Sequence, residues 1–104
     1  MTFEYIQTWM IREEYRETHD ELLRSWILSI GDNPHLDFIR FPSASEALPR
    51  KRILVYGFDD VRSWRRFREN TLDDWRIFVR QWLPYINLDT YKVYITRKDE
   101  YIVD

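Results

Sequence analysis

Residues Gly57–Ile86, GFDDVRSWRRFRENTLDDWRIFVRQWLPYI, decide how the rest of the chain is read. The stretch opens as the end of a strand, and Asp59 is placed to cap a helix. Apolar residues then recur at Val61, Trp64 and Phe67, with Arg62, Arg65, Arg66 and Glu69 on the other faces, the period of an amphipathic helix. Thr71-Leu72-Asp73-Asp74 has an acid three residues after a threonine, the pattern of a capping box. It predicts a one-turn break and a second helix, whose apolar face is Leu72, Trp75, Phe78, Val79, Trp82 and Leu83. Pro84 stops that helix.

Working outward, residues 2–11 (TFEYIQTWMI) alternate: Phe3, Tyr5, Trp9 and Ile11 point one way, Ile6 and Met10 the other. This is a strand. From Arg12 the period lengthens, and Tyr15, His19, Leu22, Leu23, Trp26, Ile27 and Ile30 form one helical stripe. The spacing predicts a helix over 12–30, with Glu13 and Glu14 favourable in its first turn. Gly31 stands where a left-handed C-cap belongs, and Asp32-Asn33-Pro34 forbids continuation. HLDFIRF (35–41) alternates as a second strand ended by Pro42, and RILVYGF (52–58) is a nearly continuous apolar third strand. About ten residues join them, so they read as a long hairpin. LDTYKVYIT (88–96) is a fourth strand, with Tyr91, Val93 and Ile95 opposite Thr90, Lys92 and Tyr94. A last short apolar run, Tyr101-Ile102-Val103, follows a charged turn.

The order β-α-β-β-α-β, with right-handed crossovers, implies an α+β ferredoxin-like domain over residues 1–104: a four-stranded antiparallel sheet with two helices on one face. The outer face of such a sheet is ordinarily polar. Here Ile6, Met10, Ile53 and Val55 make it apolar, beyond what a soluble monomer tolerates. A second copy packed sheet to sheet about a two-fold axis is the simplest cover, so a homodimer is expected, with the terminal apolar run reaching onto the partner.

Composition removes several function classes. There is no cysteine, which excludes disulfides, thiol catalysis and thiolate metal sites. The formal net charge of -2 argues against a nucleic-acid or anionic-membrane binder. No apolar run is long enough for a membrane helix and the start is no signal peptide, so a soluble, cytoplasmic protein is expected. Only two histidines exist, His19 and His35, with no convergent acids, so no metal site is expected. Five Trp, seven Tyr and six Phe are a heavy ring load for 104 residues, so rings either fill the core or line a cavity.

Phe58-Asp59-Asp60 through Asp73-Asp74-Trp75-Arg76 to Leu83-Pro84 resembles the C-terminal half of NIPSNAP-type and antibiotic-biosynthesis monooxygenase-type proteins of the dimeric α+β barrel superfamily. Tyr15-Arg16-Glu17-Thr18-His19-Asp20-Glu21-Leu22 is similar to the W-R-E-x-H-x-x-L helix of EthD-type members. The G-P pair that NIPSNAP-type proteins carry near the second strand is absent. The resemblance implies a dimeric α+β barrel and a small-molecule enzyme: a cofactor-free monooxygenase, isomerase or cyclase for an aromatic or polyketide-like substrate. No cofactor is expected. Haem also occurs in the superfamily and ranks lower, because one helical histidine is a thin basis for an axial ligand.

His19 is the candidate catalytic residue. It lies on the apolar stripe, aimed at the sheet, and its side chain titrates near working pH; the EthD-type match raises it above other candidates. A buried histidine bonded to a backbone carbonyl or a tyrosine hydroxyl would have the same pattern and no catalytic duty. Among Tyr5, Trp9, Tyr15, Trp64, Trp75, Phe78 and Tyr94, two or three rings are expected as cavity walls and the rest as core, with Gln7 or His19 as the polar group. Arg62, Arg65, Arg66 and Arg68 interleave with Trp64 and Phe67. That pattern suits single-stranded nucleic acid, but the interspersed acids make a solvated helix face the better reading. The competing function class is a non-catalytic homodimeric ligand-binding or assembly module.

Overall fold

The computed structural model describes residues 2–98. Its strands are β1 (Thr2–Ile11), β2 (Phe38–Arg40), β3 (Lys51–Phe58) and β4 (Ile86–Lys98), and its helices α1 (Arg16–Ile30) and α2 (Val61–Trp82). The sheet order is β2-β3-β1-β4, antiparallel throughout, and both helices cover one face. This is the ferredoxin-like α+β fold expected from the element order. The expected Tyr101-Ile102-Val103 run lies outside the described residues.

The alternation read in β1 holds. Phe3, Gln7, Trp9 and Ile11 are buried beneath the helices and Tyr5 is half-buried beside them. Cross-strand partners share a face, so Leu54 and Tyr56 of β3 and Val93 and Ile95 of β4 lie on the helix side with Gln7 and Tyr5. On the opposite side Val55, Ile6 and Tyr94 form one apolar row in direct register. Ile53 and Met10 flank it, and an Arg40–Glu4 ion pair (2.8 Å) spans β3 beside it. The two-faced apolar sheet is therefore real.

Several expectations are corrected. Glu13–Tyr15 form a 3-10 turn, so the first α-helix begins at Arg16 and not at Arg12. Gly31 is right-handed (φ -61°, ψ -27°): the chain leaves α1 through the Asn33 N to Ile30 O bond (3.0 Å), and the Asn33 side chain then accepts from the His35 amide (2.9 Å). No left-handed cap is needed when a side-chain turn redirects the chain.

The expected break at Thr71 does not occur, and α2 is one 22-residue helix. Thr71 is buried and its Oγ1 donates back to the Phe67 carbonyl (2.8 Å), a bond within a helix that replaces the capping role. Asp60, not Asp59, is the N-cap, accepting from the Ser63 amide at 2.8 Å. At about 33 Å the uninterrupted helix crosses the whole sheet, and a 3-10 turn, Leu83–Tyr85, carries Pro84 into β4.

Two local features position side chains. β1 and β4 slip register between Thr8 (opposite Lys92) and Met10 (opposite Asn87). Thr90 braces the bulge, its Oγ1 accepting from the Met10 amide (2.8 Å) and donating to the Asn87 carbonyl (2.6 Å). Bulges re-aim neighbouring side chains, and here Tyr91 turns under the helices onto Trp82 (ring centroids 5.9 Å apart). Gly57 faces the Phe38 ring so closely that a Cβ at 57 would overlap it. β2, only three residues long, is keyed to the sheet by that approach.

Candidate functional site

Between α2 and the sheet lies a cavity of about 210 Å³. Its floor is Tyr5, Gln7, Tyr56, Phe58 and Tyr91 from the strands; Trp64, Phe67, Arg68, Thr71, Leu72 and Trp75 of α2 form the roof, and Trp26 of α1 closes one end. A cavity of roughly 150 Å³ holds a benzene molecule, so this one takes a single ring with a substituent. Its walls are mostly aromatic with few polar groups, the make-up of a small-molecule site.

Those polar groups form one ordered row. The Trp26 indole N–H donates to the Tyr56 hydroxyl (3.0 Å), Tyr56 donates to Gln7 Oε1 (2.7 Å), and Gln7 Nε2 donates to the Tyr91 hydroxyl (3.0 Å). The Tyr91 hydroxyl lies beside that of Tyr5 at the cavity. An indole nitrogen can only donate. Tyr56 must therefore pass its hydrogen on, which orients the Gln7 amide so that Tyr91 receives from it; the adjacent Tyr91 and Tyr5 hydroxyls end the row and between them keep a hydrogen for the cavity. Burial raises all three phenols: Tyr5 despite Arg68, Tyr91 to about 12, and Tyr56 furthest because it is wholly enclosed. At neutral pH the row is a set of neutral hydrogen-bond donors.

His19 is elsewhere. It is buried, and its Nε2 accepts from two indoles, Trp9 (2.9 Å) and Trp82 (3.0 Å). Two donors on Nε2 place the ring hydrogen on Nδ1, which donates to Asp20 Oδ1 (3.0 Å). Asp20 is held by a two-pronged bond from Arg52 (2.9 and 3.0 Å), and Arg52 Nη1 donates to the Pro49 and Lys51 carbonyls. Burial lowers the His19 pKa more than Asp20 raises it, so the ring is neutral. Both nitrogens are occupied and the ring lines no part of the cavity. The sequence placed His19 correctly on the core face of α1, but not at the pocket.

Of the other expected site residues, Tyr5, Gln7, Trp64 and Trp75 line the cavity together. Trp9 packs edge-on against Trp82 beside His19 (5.0 Å), and Tyr15 packs on Tyr85 outside the cavity (5.1 Å). Phe78 stacks between Trp26 (5.2 Å) and Trp82 (5.4 Å) in the core and borders a shallow groove on the outer side of the helices. Tyr94 faces the uncovered side of the sheet opposite Ile6. Sequence reasoning missed Trp26, Tyr56, Tyr91 and Arg68 as cavity residues. The alternation that puts Tyr56 and Tyr91 on the same side as Gln7 was the available signal.

A haem does not fit these residues. The buried histidine has no free nitrogen, and the cavity takes one ring, not a macrocycle. No cluster of three or more metal-ligating side chains occurs among the described residues, and no helix there is long and apolar enough to cross a membrane.

No protein-family model and no curated protein matches the sequence. Solved structures do match its fold. A conserved protein from Methanosarcina mazei superposes with a TM-score of 0.80 at 11% identity, over 95% of this chain and 94% of that one. A NIPSNAP family protein from Agrobacterium tumefaciens superposes with a TM-score of 0.73 at 12% identity, over 97% and 96%. A putative antibiotic biosynthesis monooxygenase from Nitrosomonas europaea gives 0.71 at 14% identity, over 91% and 88%. At these identities the likeness is one of fold, the ferredoxin-like α+β fold described above.

Proposed function

We propose that the protein takes an aromatic or polyketide-like small molecule into the cavity between α2 and the sheet. The observation that carries this reading is the row from Trp26 to Tyr91, with Tyr5 beside its end: a ring-walled space whose polar edge ends in two hydroxyls that between them have a hydrogen to give. A substrate ring would lie among Trp64, Trp75 and Phe67, with its oxygen accepting from Tyr5.

Several of the structural neighbours are antibiotic biosynthesis monooxygenases by name, which supports the enzymatic form, a cofactor-free monooxygenase, isomerase or cyclase. In that form Tyr5 stabilises negative charge developing on the substrate oxygen, and the indoles exclude water. His19 has no part in it. The second reading, a ligand-binding module without turnover, is favoured by the raised pKa values of Tyr5, Tyr56 and Tyr91, which leave those phenols poor bases at neutral pH. Titration with small phenols and enolisable arenes, read by Trp fluorescence, tests the pocket. Oxygen uptake and product analysis on the compounds that bind separate the two readings. Saturable quenching that Thr71→Trp abolishes is expected; quenching unchanged by that filled cavity would sink the pocket.

The assembly proposed is a homodimer closed over the Val55–Ile6–Tyr94 row, since an apolar face of this kind is seldom left wet. Light scattering should give twice the chain mass, and Ile6→Lys should halve it. A wild-type monomer at micromolar concentration would refute the dimer and leave the pocket reading standing.

A further inference from the structure

The cluster Arg62, Arg65, Arg66 and Arg68 is not uniform in the folded chain. Only Arg68 lines the cavity. One helical turn after Trp64, it lays its guanidinium over that indole with Cζ 4.9 Å from the ring centroid. The same indole contacts the Tyr5 ring, 5.7 Å between centroids. Trp64 thus brings a cation and the Tyr5 side chain, beside the end of the Trp26–Tyr91 row, to one side of the cavity. Stacking occupies the face of a guanidinium and leaves its N–H edge pointing outward. Arg40, Arg52 and Arg76 each have a carboxylate partner, whereas no hydrogen bond or ion pair engages Arg68 among the described residues.

We propose that Arg68 and Tyr5 form a carboxylate clamp, so that the ligand class is a single-ring aromatic carboxylate, its ring in the cavity and its carboxylate on the Arg68 edge and the Tyr5 hydroxyl. This rests on the pocket reading above and narrows it. A planar carboxylate matches the guanidinium edge with two parallel bonds, and its second lone pairs take the Tyr5 hydrogen. The volume left beside one ring suits a group of that size. Arg68 is itself exposed at the mouth, so the charge is paired without being carried into the interior. The remaining arginines of α2 stay in solvent and take no part.

Matched probes test this: benzoate and phenylacetate against benzamide and phenylacetamide, titrated by Trp fluorescence and calorimetry at low salt. Each acid should bind about tenfold or more tighter than its amide, the gain expected of a charge-assisted pair. Arg68→Gln, an exposed change whose fold is checked by thermal unfolding, should bring acid and amide to equal affinity. Tyr5→Phe should weaken the acids several-fold and the amides less. Amides binding as well as acids to the wild type, or an acid preference that survives Arg68→Gln, overturns the clamp and leaves the pocket standing. No binding by any of the four probes overturns both.

Discussion

The indole of Trp82 donates to Nε2 of His19 at 3.0 Å, across 63 positions of sequence, onto a nitrogen that already accepts from Trp9. That nitrogen has no room for a hydrogen. Protonating the ring would set three donors against one another in a buried space, so the imidazole joins β1, α1 and the end of α2 only in its neutral form.

Removing the ring should therefore cost stability and spare ligand affinity. His19→Ala leaves two buried indole N–H groups without an acceptor and opens a cavity, which should lower the unfolding free energy by about 2–5 kcal/mol. His19→Gln supplies both an acceptor and a donor and should recover part of this. Urea unfolding with a parallel ligand titration checks both. A well-folded His19→Gln protein that has lost all ligand binding would instead return His19 to the site.

Acid should destabilise the protein well above ordinary carboxylate titration. His19 has its pKa lowered by burial from the usual 6.5, so below that value the unfolded chain binds a proton that the folded one refuses. Its contribution is complete above pH 6.5 and declines as the pH falls from there toward the folded value. For Asp20, burial works against the carboxylate, but hydrogen bonds from Arg52 and His19 outweigh it and hold its pKa below 3.8. That share is lost only in stronger acid. The melting temperature should fall between pH 6.5 and 5 in the wild type and stay flatter in His19→Gln. Parallel curves would refute the assignment.

Gly57→Ala tests the key that holds β2. The added methyl meets the Phe38 ring, so the ring must leave its seat, at a cost of about 1–3 kcal/mol typical of overpacking. Hydrogen exchange should quicken at Ile39, which pairs with Tyr56. In a Phe38→Ala background the same change should cost much less, a coupling that a double-mutant cycle measures.

Tyr56→Phe cuts the cavity row in the middle. It strands the Trp26 indole N–H and Gln7 Oε1 at a buried site, which should cost about 1–3 kcal/mol. The Gln7 amide is then free to turn over, and affinity for hydrogen-bond-accepting ligands should drop although Phe preserves the ring. Unfolding and fluorescence titration together check this; unchanged affinity would show that the row does not govern the cavity.

The sheet and both crossovers were legible because their signals are local. Period-two alternation in residues 2–11 and 88–96 and the stripe from His19 to Ile30 needed no distant partner to be read. The break at Thr71 was misread because a threonine with an acid three positions on has two uses. It can start a helix, or it can bond back to residue 67 inside one, and burial of the threonine decides between them. The surroundings of His19 were illegible for the opposite reason. Its face was right, but its partners lie 10 residues before it and 63 after it, and no local pattern announces that two indoles will converge on one nitrogen. The cavity was half legible: Tyr5, Gln7, Trp64 and Trp75 were named, while Tyr91 depends on a register slip that only pairing reveals.

Trp26 has a reach beyond its own contacts. Because its nitrogen can only give, it sets the sense of every hydrogen from Tyr56 to Tyr91. A lineage that exchanged this one indole for phenylalanine would release the row to run backwards, with Tyr91 now able to receive. The cavity's appetite could invert, from guests that accept hydrogens to guests that offer them, while its size and shape on the ligand side barely changed.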